Sequence, residues 1–437
     1  MDNILILIFI LGYLTITLEH FLKIDKLIPA LLMMVLMWAV ISVGQFNVFR
    51  VDEALKMLVP ANFEETLLHH FGKTTEILIF LIGAMTIVEI IDHFNGFSVI
   101  KGFVKTKSKR KLILVFCILG FFLSAVIDNL TATIILISIL RKIVKSGELR
   151  MWYASLIVIA ANSGGAWSPI GDVTTTMLWI ANKVTTLKLI TNLFIPSIIS
   201  LIVPAFIASF LPIFKGNFED VVDENEKTSN YSNIMFYIGL SAIVFVPIFK
   251  TITHLPPYLG MMFSLSIVAI VAEFLSFRKL ELTTLINEDT HVSPIHKSLS
   301  RIELPSILFF LGILMAVAAM ESVGNLFKFS EWLSINIPNI DLVVIILGFS
   351  SAVIDNVPLV AASIGMFQQG IDDSLWHFIA FSAGTGGSML IIGSAAGVVA
   401  MGMERINFFW YFKNIAWLAA LGFLAGAFSF ILLQRFI

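Results

Sequence analysis

Charge is scarce in this 437-residue sequence: Asp, Glu, Lys and Arg make up 13% of it, against about 25% in an average soluble protein. A globular chain of this length could not cover its surface with so few charges, which excludes a soluble enzyme. Cysteine is almost absent too. The single Cys117 lies in an apolar run, leaving no disulfide framework and no cysteine-based metal site. A net charge of −2 gives no reason to expect nucleic acid as a partner. No G-x-x-x-x-G-K-[ST] phosphate loop occurs, so no ATP-driven cycle and no bound cofactor are expected. The first apolar run, 4–18, lacks a basic leader and a small-residue cleavage site, and is read as a membrane helix, not a signal peptide.

What is abundant points one way. Hydrophobic residues make up 58% of the chain, 39 of them Phe, and the mean hydropathy is +0.94. The class is an all-α polytopic membrane protein, and its first partner is the lipid bilayer. Apolar runs of about 20 residues fall near 4–21, 27–46, 75–95, 111–140, 151–182 and 187–211. A polar linker, 215–233, follows and is expected in the cytoplasm. The pattern then recurs at 234–250, 257–276, 303–323, 341–368, 376–403 and 407–434.

Residue matches support a duplication of 1–214 as 234–437. Ser124-Ala-Val-Ile-Asp-Asn129 recurs as Ser351-Ala-Val-Ile-Asp-Asn356. Before it, Phe80-Leu-Ile-Gly83 resembles Phe309-Phe-Leu-Gly312; after it, Asn162-Ser-Gly-Gly165 with Gly171 aligns with Gly384-Thr-Gly-Gly387 with Gly393. The 111–140 run is basic on both flanks (Lys109, Arg110, Lys111; Arg141, Lys142, Lys145). The positive-inside rule puts both ends in the cytoplasm, so the run is expected to be a re-entrant hairpin with Asp128 and Asn129 at its tip. One long tilted helix is the alternative. If 341–368 is likewise a hairpin, each half makes five crossings, one of them a broken helix. An odd number inverts the second half relative to the first.

Asp128, Asp172 and Asp355 lie deep in apolar segments, where a carboxylate costs roughly 2.5–3.5 kcal/mol on insertion scales. Such groups normally face a protein-lined, partly aqueous site; a neutral aspartate bonded inside the bundle is the alternative. Asn162-Ser163-Gly-Gly-Ala-Trp-Ser-Pro169-Ile-Gly-Asp172 cannot remain a regular helix. Gly384-Thr385-Gly-Gly387 should break in the same way. Carbonyls freed at such breaks are tolerated at depth only inside protein or along a cavity, where they can ligate a cation beside carboxylates and hydroxyls. The first half carries Asp128, Asn129, Thr131, Asp172, Thr174 and Thr175. The second keeps Asp355 and Asn356, follows them with Pro358 and Leu359, and has Ser394 opposite Asp172. The first half is therefore expected to hold the main cation site, with Na⁺ at Asp128, Asn129 and Asp172. Glu89 is a further acid candidate, or an interfacial group near Asp92 and His93.

At the two Asp-Asn pairs, the Asn-Ser-Gly-Gly…Pro-Ile-Gly-Asp break and the matching Gly-Thr-Gly-Gly break, the chain resembles the NhaD-type sodium/proton antiporters of the ion transporter superfamily. That resemblance implies scaffold helices (1–70) and mobile transport elements (75–182 and 303–403), an elevator-like movement and a homodimer. It also implies exchange of protons for Na⁺ or Li⁺ across a bacterial inner membrane. The acids it points to are Asp128, Asp172, Asp355 and Glu89, with Ser124, Asn129, Thr131, Thr174, Ser351 and Asn356 as polar companions. On this reading, protons and Na⁺ compete for the same carboxylates. A sodium-coupled dicarboxylate or other anion carrier of the same superfamily is the first alternative. An intramembrane aspartyl protease is a remote one, since its Gly-x-Gly-Asp element is here Pro169-Ile-Gly-Asp172.

Overall fold

The computed structural model describes residues 2–17, 22–52, 57–102, 104, 106–218, 230–283, 293–337, 339–353 and 355–435. Most of the expected 215–233 linker lies outside them, as does Ile354 of the second repeated motif. The described chain is helical except for one short ribbon. Its main helices are α1 (Asp2–Thr17), α2 (Leu27–Val43), α3 (Phe63–His93), α4 (Lys109–Ile127), α5 (Asn129–Ile143), α6 (Gly147–Gly165), α7 (Val173–Ile180) and α8 (Thr186–Ser209). They continue as α9 (Asn230–Thr253), α10 (Pro257–Thr283), α11 (Leu304–Ser322), α12 (Asn325–Asn336), α13 (Ile340–Ser350), α14 (Asn356–Met366), α15 (Ser374–Gly386), α16 (Ala395–Glu404) and α17 (Ala416–Gln434). Among the described residues, seven helices are long and apolar enough to cross a membrane: 63–93, 109–127, 186–209, 231–253, 257–277, 304–322 and 416–434. This is a multi-pass membrane protein.

Two local features depart from the sequence reading. The antiparallel strands β1 (Val48–Asp52) and β2 (Met57–Ala61) pair Val48 with Ala61 and Asp52 with Met57, where no strand was expected. The helix expected from residue 75 begins at Phe63 instead. Asn62 caps it, its Oδ1 accepting from the amides of Glu64 (2.9 Å) and Glu65 (3.3 Å). Both acids lie in the first turn, at the positive end of the helix dipole.

Packing sorts the helices into two groups. In one, α2 lies on α1 and α11, and α3 lies on α9, α10 and α11. In the other, α4, α5, α6 and α8 pack together, as do α13, α15 and α17, with α8 against α17. Pairings recur between the halves. The α2–α11 contact is matched by α10–α3, α4–α6 by α13–α15, and α5–α16 by α14–α7. This arrangement gathers α3 and α11 with α2 and α10, while α3 also touches α7 and α11 touches α14.

Candidate functional site

Each apolar run with an acidic motif breaks at that motif. Helix α4 stops at Ile127, and Asp128 takes φ 79°, ψ 156° before α5 begins. That region of backbone space is essentially reserved for glycine and costs a side-chain-bearing residue about 1–3 kcal/mol. The carboxylate bonds the turn it opens: Oδ1 accepts from the Thr131 amide (2.8 Å) and Oδ2 from Thr131 Oγ1 (2.9 Å). The 341–368 run likewise divides into α13 and α14, and Asp355 caps the second piece by accepting from the Val357 amide at 3.4 Å.

The broken helices follow the same plan. Beyond α6, residues 166–172 leave the helix, and Asp172 then caps α7 with φ −147°, ψ 148°. Beyond α15, Ser394 caps α16 with φ −146°, ψ 151°. Side chains satisfy carbonyls freed by the breaks: Thr176 Oγ1 donates to Pro169 O at 2.9 Å, and Tyr411 Oη donates to Ser388 O at 2.7 Å. The glycine pairs are explained by close crossing. A Cβ on Gly164 would lie 2.1 Å from Phe121 O, and one on Gly386 would lie 2.1 Å from Gly348 O.

Asp172 is the hub where these elements meet. It is 2% exposed. Its Oδ1 accepts from the Thr174 amide (3.1 Å), and its Oδ2 from Asn129 Nδ2 (3.1 Å) and Asn356 Nδ2 (3.2 Å). Asn129 also donates to Asn162 Oδ1 at 3.0 Å, and Asn162 Nδ2 donates to Ser394 Oγ at 3.0 Å. One buried network thus joins both Asp-Asn motifs to both helix breaks. Beside it is a cavity of about 90 Å³ whose walls include Asp128, Asn129, Thr131, Asp172, Asp355 and Asn356. Lys26 lines it as well, its Nζ 3.3 Å from Asp355 Oδ2. The sequence reading missed Lys26 because it resembles an ordinary basic residue at the end of an apolar run.

Not every candidate reaches the cavity. Ser124 Oγ donates to Ala161 O (2.6 Å) and Ser351 Oγ to Ala383 O (2.7 Å), pinning equivalent helix crossings. Thr385 Oγ1 donates within its own helix to Phe381 O (2.6 Å), and Ser163 accepts from Ser200 Oγ (2.8 Å). Thr174 contributes its backbone amide. Glu89 lies instead on a larger recess of about 700 Å³, with Asp92, Lys142, Arg301 and Glu303. Met85, Val88, Leu130 and Thr131 line both spaces, so the recess leads to the Asp128 turn. Among the described residues, no three His, Cys, Asp or Glu side chains form a cluster that could hold a metal ion. Any cation here must therefore be ligated by one or two carboxylates together with amide, hydroxyl or backbone oxygens.

The chain is similar to known membrane transporters. A family model described as "Citrate transporter" matches residues 6–376. "Sodium/proton antiporter 1" of Arabidopsis thaliana is 41% identical over 430 residues, covering 97% of this chain and 71% of that protein. "Sodium/proton antiporter 2" of the same plant is 39% identical over 437 residues, covering 98% and 99%. "Na(+)/H(+) antiporter NhaD" of Vibrio cholerae is 30% identical over 422 residues, covering 91% and 84%.

Proposed function

The chain belongs to the NhaD-type sodium/proton antiporter family, within the superfamily of the citrate transporters, and from that premise we propose that it exchanges Na⁺ or Li⁺ for protons at Asp172 and Asp128. It is a secondary transporter, not an enzyme. The observation that carries this reading is the double donation of Asn129 and Asn356 to Asp172 Oδ2, beside a small cavity reached from a larger recess.

The chemistry follows from the donor set. An ionised carboxylate accepts hydrogen bonds from both amide groups. The terminal torsion of an asparagine is roughly two-fold, so a half-turn replaces each NH₂ with its oxygen. Na⁺ arriving beside Asp172 then finds carboxylate, amide and Thr131 hydroxyl oxygens, ligands suited to a hard cation. A proton on the carboxyl group removes the charge that draws Na⁺, so the two cargoes exclude each other. An empty, ionised site is costly to carry through a low-dielectric region. Exchange results if only the occupied forms cross.

Several finer features belong to the same proposal. The interchanged helix pairings and the repeated cap geometry support two inverted repeats, with re-entrant hairpins at 111–140 and 341–368. The two packing groups support an elevator in which α4–α8 and α13–α17 move against α1–α3 and α9–α11. The basic flanks Arg141 and Lys142 support a cytoplasmic opening for the larger recess. A homodimer in a bacterial inner membrane is retained from the family resemblance. The relatives include both plant and bacterial proteins, so membrane fractionation of the source cell decides the location.

The matching family description favours one second reading, sodium-coupled carboxylate uptake. Against it stand Asp128, Asp172 and Asp355 around the cavity, which would repel a dianion. Purified protein in liposomes with an internal pH dye separates the two. Na⁺ or Li⁺ should drive proton movement in wild type and fail to do so in folded Asp128→Asn. Citrate uptake without cation-driven proton movement would overturn the antiport reading.

A further inference from the structure

The two Asp-Asn turns carry the same carboxylate with different neighbours. At Asp128, Oδ2 accepts from the Thr131 hydroxyl. In the second half Pro358 stands where Thr131 would be, and that hydroxyl is missing. The oxygen it would have bonded, Asp355 Oδ2, takes the Lys26 ammonium at 3.3 Å.

Lys26 has no local reason to be where it is. It immediately precedes α2, at the positive end of a helix dipole, where a cation is disfavoured. Its partners come from distant parts of the chain: the Asp355 carboxylate, and the Phe309 ring, whose centroid lies 4.5 Å from Nζ. The pair is mostly shielded, with side-chain exposures of 26% for Lys26 and 14% for Asp355. It lines the same small cavity as Asp128 and Asp172. Three carboxylates around one cavity need compensation, and a lysine is a compact, tethered point charge suited to supply it.

We propose that Lys26 is a built-in counter-ion. Its ammonium fills, at Asp355, the place a free cation would otherwise take, so a transported cation is held only on the Asp128–Asp172 side. Lys26 is thus a positioning residue that sets how many cations the cavity accepts. The inference rests on the antiport reading above. It adds that the two halves are chemically distinct, one site for cargo and one permanently occupied. The pair also joins α2 of one packing group to α14 of the other, so it must part or travel if those groups slide.

The test measures Na⁺ dependence of proton movement in liposomes for wild type, Lys26→Gln and Lys26→Arg. Wild type and Lys26→Arg should titrate with a Hill coefficient of about 1, whereas Lys26→Gln, in which Asp355 as well as the Asp128–Asp172 side must be filled before the site crosses, should rise above 1 toward about 2. A Lys26→Gln curve superimposable on wild type would overturn the inference and leave antiport itself standing. A wild type without Na⁺-driven proton movement would instead remove the antiport reading. If Lys26→Gln is too unstable to assay in choline chloride, NaCl should restore its thermal stability by filling the vacated place. Equal instability in the two salts would contradict the proposal.

Discussion

Asn129 and Asn356, which hold equivalent positions in two copies of one motif, meet at a single atom: both side-chain amides donate to Oδ2 of Asp172, at 3.1 and 3.2 Å. The carboxylate that receives them has no acidic counterpart, because Ser394 occupies its place in the other half. A duplicated frame therefore delivers two amide donors to one carboxyl oxygen. That asymmetry makes a single cargo position the simplest outcome of the fold.

The backbone at Asp128 gives a prediction in which stability and transport part company. Its φ of 79° suits glycine, so Asp128→Gly releases strain of about 1–3 kcal/mol while losing a cap interaction of about 1 kcal/mol. Asp128→Ala loses the cap and keeps the strain. Thermal unfolding should leave Asp128→Gly near wild type and Asp128→Ala clearly below it, while neither exchanges Na⁺ for protons.

Glu404 should respond unequally to the two ways of breaking its ion pairs. Arg141 Nε and Arg150 Nε reach its oxygens at 2.7 and 2.8 Å, joining α5, α6 and α16. The Glu404 side chain is 1% exposed, whereas the arginines are 46% and 26% exposed. Removing both arginines strands a buried charge, which costs about 3–5 kcal/mol. Glu404→Gln leaves cations that can turn to solvent. The double variant Arg141→Met, Arg150→Met should therefore unfold at a lower temperature than Glu404→Gln.

Glycines at the helix crossings should be intolerant in both halves alike. A methyl group at Gly164 or Gly386 meets a backbone oxygen at 2.1 Å, which no rotamer change relieves. Gly164→Ala and Gly386→Ala should each sharply reduce the yield of folded protein. Gly402→Ala, which meets nothing within 4 Å, should express normally. Fluorescence-detected size exclusion reads all three.

Glu89 lies along the larger recess and not at the small cavity, so its charge should assist Na⁺ entry without belonging to the exchange site. Removing one charge from such an approach weakens attraction by roughly 1 kcal/mol or less. Glu89→Gln should raise the half-saturating Na⁺ concentration a few-fold and leave the maximal rate near wild type. Loss of exchange in folded Glu89→Gln would place it among the essential acids.

Where the signal was local, the sequence pointed to residues that the fold brings to one cavity. Asp128 and Asp172 stand out because carboxylates are rare at membrane depth, and Gly-Gly with Pro169 must interrupt a helix wherever it lies. The motif repeat made Asn356 visible. What stayed hidden was pairing across the chain. Lys26 and Asp355 are 329 positions apart, and nothing near either one names the other. The visible clue was a lysine at the unfavourable end of a helix. Ser163 and Thr385 sit in breaking motifs, yet their hydroxyls bond neighbouring groups in the packed helices, because motif membership does not fix the direction of a side chain. The β1–β2 ribbon escaped notice because its two strands are five residues each, too short for a clear alternation.

The central claim is that Na⁺ and a proton compete for Asp172. Calorimetric titration of the purified protein with NaCl, in two buffers of different ionisation enthalpy, counts the protons released as the cation binds. Wild type should release protons on binding Na⁺, and folded Asp172→Asn should neither bind Na⁺ measurably nor release them. Na⁺ binding to wild type without proton release, or unchanged release from Asp172→Asn, would contradict the account.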